Sequence, residues 1–349
     1  MRKTIQAASL VLALCLAGVA LFANPRGTPP ASDNLLINGA GATFPNPIYS
    51  KWFDEYHKLH PNVEINYQSV GSGAGIKQLQ SGTVDFGASD GPMSDQQLAD
   101  AKVPVLHFPT VLGAAVPTYN IPGVSQELKF TPEALAGIFL GTVAKWNDPA
   151  IAQANPAAPL PGNDIVVIHR SDGSGTTYIW TDYLSKVSDE WKNKVGKGTS
   201  VNWPVGLGGK GNEGVAGLIQ QTPNSIGYVE LIYAIQNHIS YGRVRNAAGV
   251  FVKADLAGVS AAAAGAAIAM PDDFRVSITN AEGKTAYPIS SFTWLLIPRS
   301  IADSTKKQAL TDFLRWMLTD GQKYAEPLAY GRLPREVVEK EMKAISKIQ

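Results

Sequence analysis

Four segments of the chain carry residue types suited to holding a small oxyanion. They are Gly39-Ala40-Gly41-Ala42-Thr43-Phe44-Pro45, Gly71-Ser72-Gly73-Ala74-Gly75, Asp85-Phe86-Gly87-Ala88-Ser89-Asp90 and Arg170-Ser171-Asp172-Gly173-Ser174-Gly175-Thr176-Thr177. Each puts small or hydroxyl residues where a strand pattern ends or a helix pattern begins. The start of a helix leaves backbone N–H groups unpaired and carries a partial positive charge. Glycine lets a ligand approach that backbone, and Ser or Thr adds a hydroxyl donor, so together they make an anion cradle. Arg170 supplies a rigid bidentate fork. Taken singly, each segment is also an ordinary turn. No Gly-Lys-Ser or Gly-Lys-Thr closes a Gly-x-x-x-x-Gly run, so the nucleotide-binding P-loop pattern is absent.

Asp90 is the informative member. A carboxylate beside an anion repels it unless the anion carries a proton to donate. Phosphate at neutral pH has such a proton, whereas sulfate is fully ionised and would face an unpaired buried acceptor. Sites that demand a donor reject an analogue lacking it by roughly ten-thousandfold. Asp90 precedes Gly91-Pro92 and also suits a helix N-cap. Asp172 has two readings as well, orienting Arg170 or capping the next helix.

The elements that must position these residues follow a repeated grammar of strand pattern, small-residue turn and helix pattern. Val63–Gln68 alternates apolar and polar, and Val84–Ala88 and Ile165–His169 are further strand candidates. Val105–Leu112 and Ser291–Pro298 read as buried strands. Ile48, Trp52, Tyr56 and Leu59 share a helical face behind Pro47, which a first turn tolerates, and Pro61 ends that helix. The glycine run at 71–75 leads into a helix at Ile76-Lys77-Gln78-Leu79. Tyr178, Ile179, Tyr183 and Leu184 recur at helical spacing, the Ala-rich Ser260–Met270 reads as a packed helix, and Lys306–Trp316 is amphipathic. Strands alternating with helices predict an α/β chain with largely parallel sheets. Leaving near Gly113 and returning near Ser290 would make a two-crossing hinge. The expected domains are thus 34–113 with 290–349 as a first lobe and 114–289 as a second.

At 349 residues, with 45% hydrophobic and 17% charged residues, the chain can bury two such lobes. Thirty basic and 29 acidic residues give a net charge of +1, which argues against a nucleic-acid binder. Arg2 and Lys3 precede an apolar or Gly stretch from Leu10 to Ala23, then Asn24-Pro25. That predicts an export signal over 1–23, cut near Ala23, with a linker over 24–33. The single cysteine, Cys15, falls within the signal, so no disulfide is expected. Lipoprotein anchoring through Cys15 is disfavoured by the bulky Leu14 before it. The five histidines are scattered, with no metal set around His57 and His60. The seven tryptophans read as core. Neither metal nor cofactor is expected.

At these segments the sequence resembles the phosphate-binding protein family (PstS) of the bacterial phosphate-specific ABC transporter. The Gly39–Pro45, Thr83–Asp90 and Arg170–Thr176 runs match it. So do Asn120-Ile121-Pro122-Gly123, Gly206-Leu207-Gly208-Gly209-Lys210-Gly211-Asn212 and Ser225-Ile226-Gly227-Tyr228-Val229-Glu230. The likeness runs from about Asn38 into the C-terminal helices. It implies a two-lobed periplasmic-binding-protein fold (type II-like), with two doubly wound lobes and phosphate held between them. Carried over residue by residue, the phosphate contacts would be Thr43, Phe44, Ser72, Asp90, Arg170, Ser174, Gly175 and Thr176. Phe44 and Gly175 would act through backbone N–H, and Asp172 would pair with Arg170. The resemblance further implies a periplasmic monomer that delivers phosphate to membrane permease and ATPase subunits. In two places the chain departs from the family: His169 stands where a familiar member has a second arginine, and Asn246–Arg275 diverges.

A hydrolase is the main competing reading, with Ser174 as nucleophile. Asp172 occupies the first glycine position of Gly-x-Ser-x-Gly, and no histidine is placed by any motif as its base. Sulfate or molybdate binding conflicts with the donor argument at Asp90. An adhesin reusing the fold would want an attachment module or repeat that the chain does not display.

Overall fold

The computed structural model describes residues 34–349. The expected export signal, the linker and Cys15 lie outside the described residues.

The first strand, β1 (Leu35–Gly41), feeds α1 (Asn46–Leu59), with Pro47 in its first turn. Ile48, Tyr49, Trp52, Phe53 and Tyr56 form the buried stripe of α1, and the chain turns at His60 before Pro61. β2 (Val63–Ser69) lies parallel to β1, with Leu35 opposite Val63. The glycine run expected as a turn belongs to a helix instead. α2 (Ser72–Ser81) starts inside it because Gly71, at φ 91°, makes the whole reversal alone. β3 (Phe86–Ser89) then pairs parallel with β1. This winding brings the ends of β1 and β3 and the start of α2 to one rim of the sheet.

β4 runs unbroken over Val105–Asn120, past the expected end at Leu112. Gly113-Ala114-Ala115 do not stop it because Val116, Thr118 and Tyr119 behind them favour extended chain. The second half of the molecule contributes β5 (Val166–Arg170), α3 (Gly175–Val187), β6 (Leu207–Gly209), α4 (Gly211–Gln221), β7 (Ser225–Glu230) and β8 (Ser240–Tyr241). α5 (Leu256–Ile268), β9 (Ser290–Pro298), α6 (Ser304–Leu318) and α7 (Arg335–Ala344) follow. The strand order is β2-β1-β3-β9-β4-β7-β5-β6, with β8 beside β4. Within each half the neighbours are parallel; β4 and β9 in the middle are antiparallel. β4 changes partner midway, pairing Ala114 with Ser290 of β9 and Ala115 with Glu230 of β7. One strand therefore carries the sheet from one half into the other.

The β4–β9 ladder slips between Thr293 and Trp294, which face Val111 and Pro109. Pro109 has no N–H to give the ladder, so Thr110 bulges out. Thr110 Oγ1 then donates to Thr293 O at 3.2 Å and meets Tyr49 Oη at 3.0 Å. Trp52, Trp146, Trp180, Trp191 and Trp294 are fully buried, and Trp203 and Trp316 pack partly buried against the same core.

α5 falls within the range expected for the second lobe and packs against β4, β9 and α7. Phe274 O accepts from Trp294 Nε1 at 2.9 Å, and Arg275 Nη1 donates to Met93 O at 3.0 Å. Two and four residues past Arg275, Ser277 and Thr279 donate to Asp182 of α3. This stretch therefore touches both halves.

Candidate functional site

Arg170 ends β5 with its guanidinium buried. Its Nε and Nη2 grip Asp172 Oδ1 and Oδ2 at 2.8 and 2.6 Å. Burial pushes the Asp172 carboxyl up, but the Arg170 pair and the Gly211 N–H at 3.0 Å outweigh it and hold the pKa below the usual range. A charged, fixed fork results, with Nη1 left toward Thr176 Oγ1 at 3.4 Å. Tyr228 Oη, on β7, accepts from Arg170 N at 3.2 Å and bonds Thr177 Oγ1 at 2.5 Å. Asp172 does not cap α3; Ser174 does, accepting from Thr177 N at 3.0 Å and opening α3 at Gly175. The first-turn N–H groups of Gly175 and Thr176 thereby face outward with no intrahelical acceptor.

Asp90, just past β3, is likewise buried and caps no helix. The next helix, Asp95–Ala99, is capped by Ser94 through a Ser94–Gln97 capping box. Asp90 Oδ1 accepts from Thr293 Oγ1 at 2.8 Å, the residue that the Pro109 bulge positions. Oδ2 has no partner in the protein. Burial raises the Asp90 pKa to about 7, against the opposing pulls of Thr293 and Arg170. Ser72 Oγ accepts from Asp90 N at 3.3 Å. A Cβ on Gly175 would overlap both Asp90 Oδ2 and Ser72 Oγ, so glycine is what lets the start of α3 reach Asp90.

The two halves touch across these groups. Gly73 N, in the first turn of α2, donates to Gly173 O at 2.8 Å. Thr43, after β1, accepts at Oγ1 from Asn212 Nδ2 at 2.8 Å and Asn212 N at 3.2 Å. Its carbonyl accepts from Tyr233 Oη at 2.6 Å, and the Phe44 carbonyl accepts from Tyr330 Oη at 2.6 Å. Thr43, Phe44, Ser72, Asp90, Arg170, Ser174, Gly175 and Thr176 therefore gather around one buried spot of donors, with one unpartnered acceptor, Asp90 Oδ2. The geometry suits a compact oxyanion with a proton to give.

His169 points away from this spot. It stacks on Trp203 with centroids 4.7 Å apart and holds Nδ1 3.0 Å from Arg170 O. Burial lowers its pKa. The ring is thus half-buried against Trp203, on the side of β5 away from the Arg170 guanidinium. Among the described residues no group of three or more His, Cys, Asp or Glu could hold a metal ion. Sequence reasoning gave no role to Asn212, Thr293, Tyr228 or Glu230. The matched Gly206–Asn212 run was the only signal for Asn212. Nothing local marked Thr293.

Residues 24–321 match the family model described as a PBP superfamily domain. The chain is 46% identical over 325 residues to the phosphate-binding protein PstS of Xylella fastidiosa, covering 92% of this chain and 88% of that one. It is 47% identical over 305 residues to the phosphate-binding protein PstS of Pasteurella multocida, covering 87% and 88%. The fold superposes on a crystal structure of a phosphate-binding protein from Stenotrophomonas maltophilia with a TM-score of 0.67 at 17% identity, covering 88% of this chain and 93% of that one. The chain belongs to the phosphate-binding protein PstS family, within the PBP superfamily.

Proposed function

We propose that this protein captures one inorganic phosphate among the residues gathered above and delivers it to an ABC importer. The observation that carries the proposal is Asp90: a buried carboxylate with one oxygen tied to Thr293 and the other unpartnered, in a shell of donors. Phosphate fills that shell with acceptor oxygens and gives its proton to Oδ2. Sulfate has no proton to give and meets the carboxylate as a like charge. Thr43, Phe44, Ser72 and Asp90 act from the first lobe (34–113 with 290–349), and Arg170, Ser174, Gly175 and Thr176 from the second (114–289). Asp172 holds the Arg170 fork in register. Contacts made from both sides favour the form in which the halves touch. The protein works as an exported, periplasmic monomer, presents phosphate to permease and ATPase subunits, and performs no catalysis. No helix of the described residues is long and apolar enough to cross a membrane.

Calorimetry on protein stripped of bound anion tests this reading, with phosphate and then sulfate at neutral pH. One-to-one phosphate binding with sulfate silent is expected. Arg170→Ala is expected to lose a hundredfold or more in phosphate affinity, since a buried charge-assisted contact is removed. Asp90→Asn is expected to narrow the phosphate-to-sulfate ratio, and an unchanged ratio would refute the donor argument. Folded, ligand-free protein silent to both anions but turning over a phosphomonoester would replace the receptor reading with a hydrolase.

A further inference from the structure

Asn212, the second residue of α4, is fully buried, and its amide touches a candidate ligand hydroxyl from each half of the molecule. Its orientation is dictated by Glu230. The Glu230 N–H donates to Asn212 Oδ1 at 2.9 Å, so the oxygen must face β7 and the NH2 must face the site. That NH2 donates to Thr43 Oγ1 at 2.8 Å and to Thr176 Oγ1 at 3.2 Å.

A hydroxyl has two acceptor positions and one proton. Thr43 Oγ1 accepts from both Asn212 Nδ2 and Asn212 N, which fills both positions. Thr176 Oγ1 accepts from Asn212 Nδ2 and Arg170 Nη1, which fills both again. The proton is then all that either threonine has left to offer. Ser72 and Ser174 differ: each accepts one backbone N–H and keeps a second acceptor position.

We propose that Asn212 is a positioning residue that makes Thr43 and Thr176 obligate donors toward the bound oxyanion, resting on the phosphate reading above. The Asn212 amide orients these dipoles before the ligand arrives. No reorientation is then needed on binding, and neither hydroxyl can turn to accept from water or from a protonated phosphate oxygen. One side chain thereby sets donor polarity on both halves at once.

A double-mutant cycle read by calorimetry tests this. Asn212→Ala should weaken phosphate binding about tenfold or more in the otherwise native chain. In a Thr43→Val/Thr176→Val background, where no hydroxyl is left to orient, the same change should cost no more than about threefold. A structural role in holding α4 against β7 would cost the same in both backgrounds, and that additive result would overturn the proposal. Should Asn212→Ala not fold, neutron diffraction of the native protein with phosphate decides. Both threonine deuterons should point at phosphate oxygens, and a deuteron pointing at Asn212 would overturn the assignment. If the native protein binds no phosphate, the receptor reading itself fails. If it binds phosphate and the cycle is additive, only the role of Asn212 fails.

Discussion

In the proposed function Asp90 meets two demands that pull against each other. Its Oδ2 is left unpartnered to accept the phosphate proton, and a buried unpartnered carboxylate resists ionisation. Its pKa rises to about 7 because of that burial, despite the Thr293 hydroxyl and the nearby Arg170 charge. A carboxyl with a raised folded-state pKa keeps its proton where the unfolded chain has released it. Its contribution to ligand-free stability is full below the ordinary carboxylate range and is lost as pH rises through about 7. That loss is on the order of 4 kcal/mol between pH 4 and 7. Urea unfolding of stripped protein should show stability falling over that window. Asp90→Asn, which cannot titrate, should remove most of the slope attributable to this site. Glu230, also raised by burial, supplies a background in the same direction, so the measurement is the difference between the two proteins.

The elements act through their starts. α2 and α3 begin against each other, with Gly73 N–H on the Gly173 carbonyl and only hydrogens at the contact. A Cβ on Gly73 would stand 3.0 Å from the Gly173 Cα and hold the two turns apart. Gly73→Val is therefore expected to weaken phosphate binding by at least tenfold by calorimetry. Helix propensity favours Val over Gly by a few tenths of a kcal/mol, so the denaturant midpoint of the ligand-free protein should not fall in step. The strand behind them matters too. Pro109 interrupts the β4–β9 ladder, the resulting bulge sets Thr293, and Thr293 holds Asp90. A backbone irregularity on β4, two strands from β3, thus reaches the carboxylate at the rim through Thr293.

For the whole molecule, β4 and the stretch from α5 to Thr279 tie the two halves together. Ser277 and Thr279 both donate to Asp182, which also pairs with Lys197 at 2.6 Å. Those bonds outweigh the burial that would raise it, and Asp182 stays ionised below the usual carboxylate range. Asp182→Ala is expected to cost about 2–4 kcal/mol in unfolding free energy, since two hydroxyls lose a charged acceptor. Phosphate that binds only the folded protein should raise stability by about 2.7 kcal/mol at a hundred times its dissociation constant. A thermal shift with phosphate and none with equimolar sulfate is the expected result.

The sequence by itself determined what is local. Each of the four glycine- and hydroxyl-rich segments is continuous, so its glycines, hydroxyls and charges suggest the chemistry without any tertiary knowledge, and the Arg170–Asp172 pair is two residues apart. Strands and helices with clear periodicity, such as Val63–Ser69 and Asn46–Leu59, were legible for the same reason. Tertiary structure decided what depends on strand order. Thr293 reaches Asp90 across 203 residues, and Asn212 reaches Thr43 across 169. Those contacts exist only because β9 slots beside β3 and because α4 starts opposite the end of β1. The continuity of β4 was hidden as well, because small residues at 113–115 look like a break until two different partner strands are there to extend it. Local physics chose the groups; the order of the strands in the sheet chose which of them could touch.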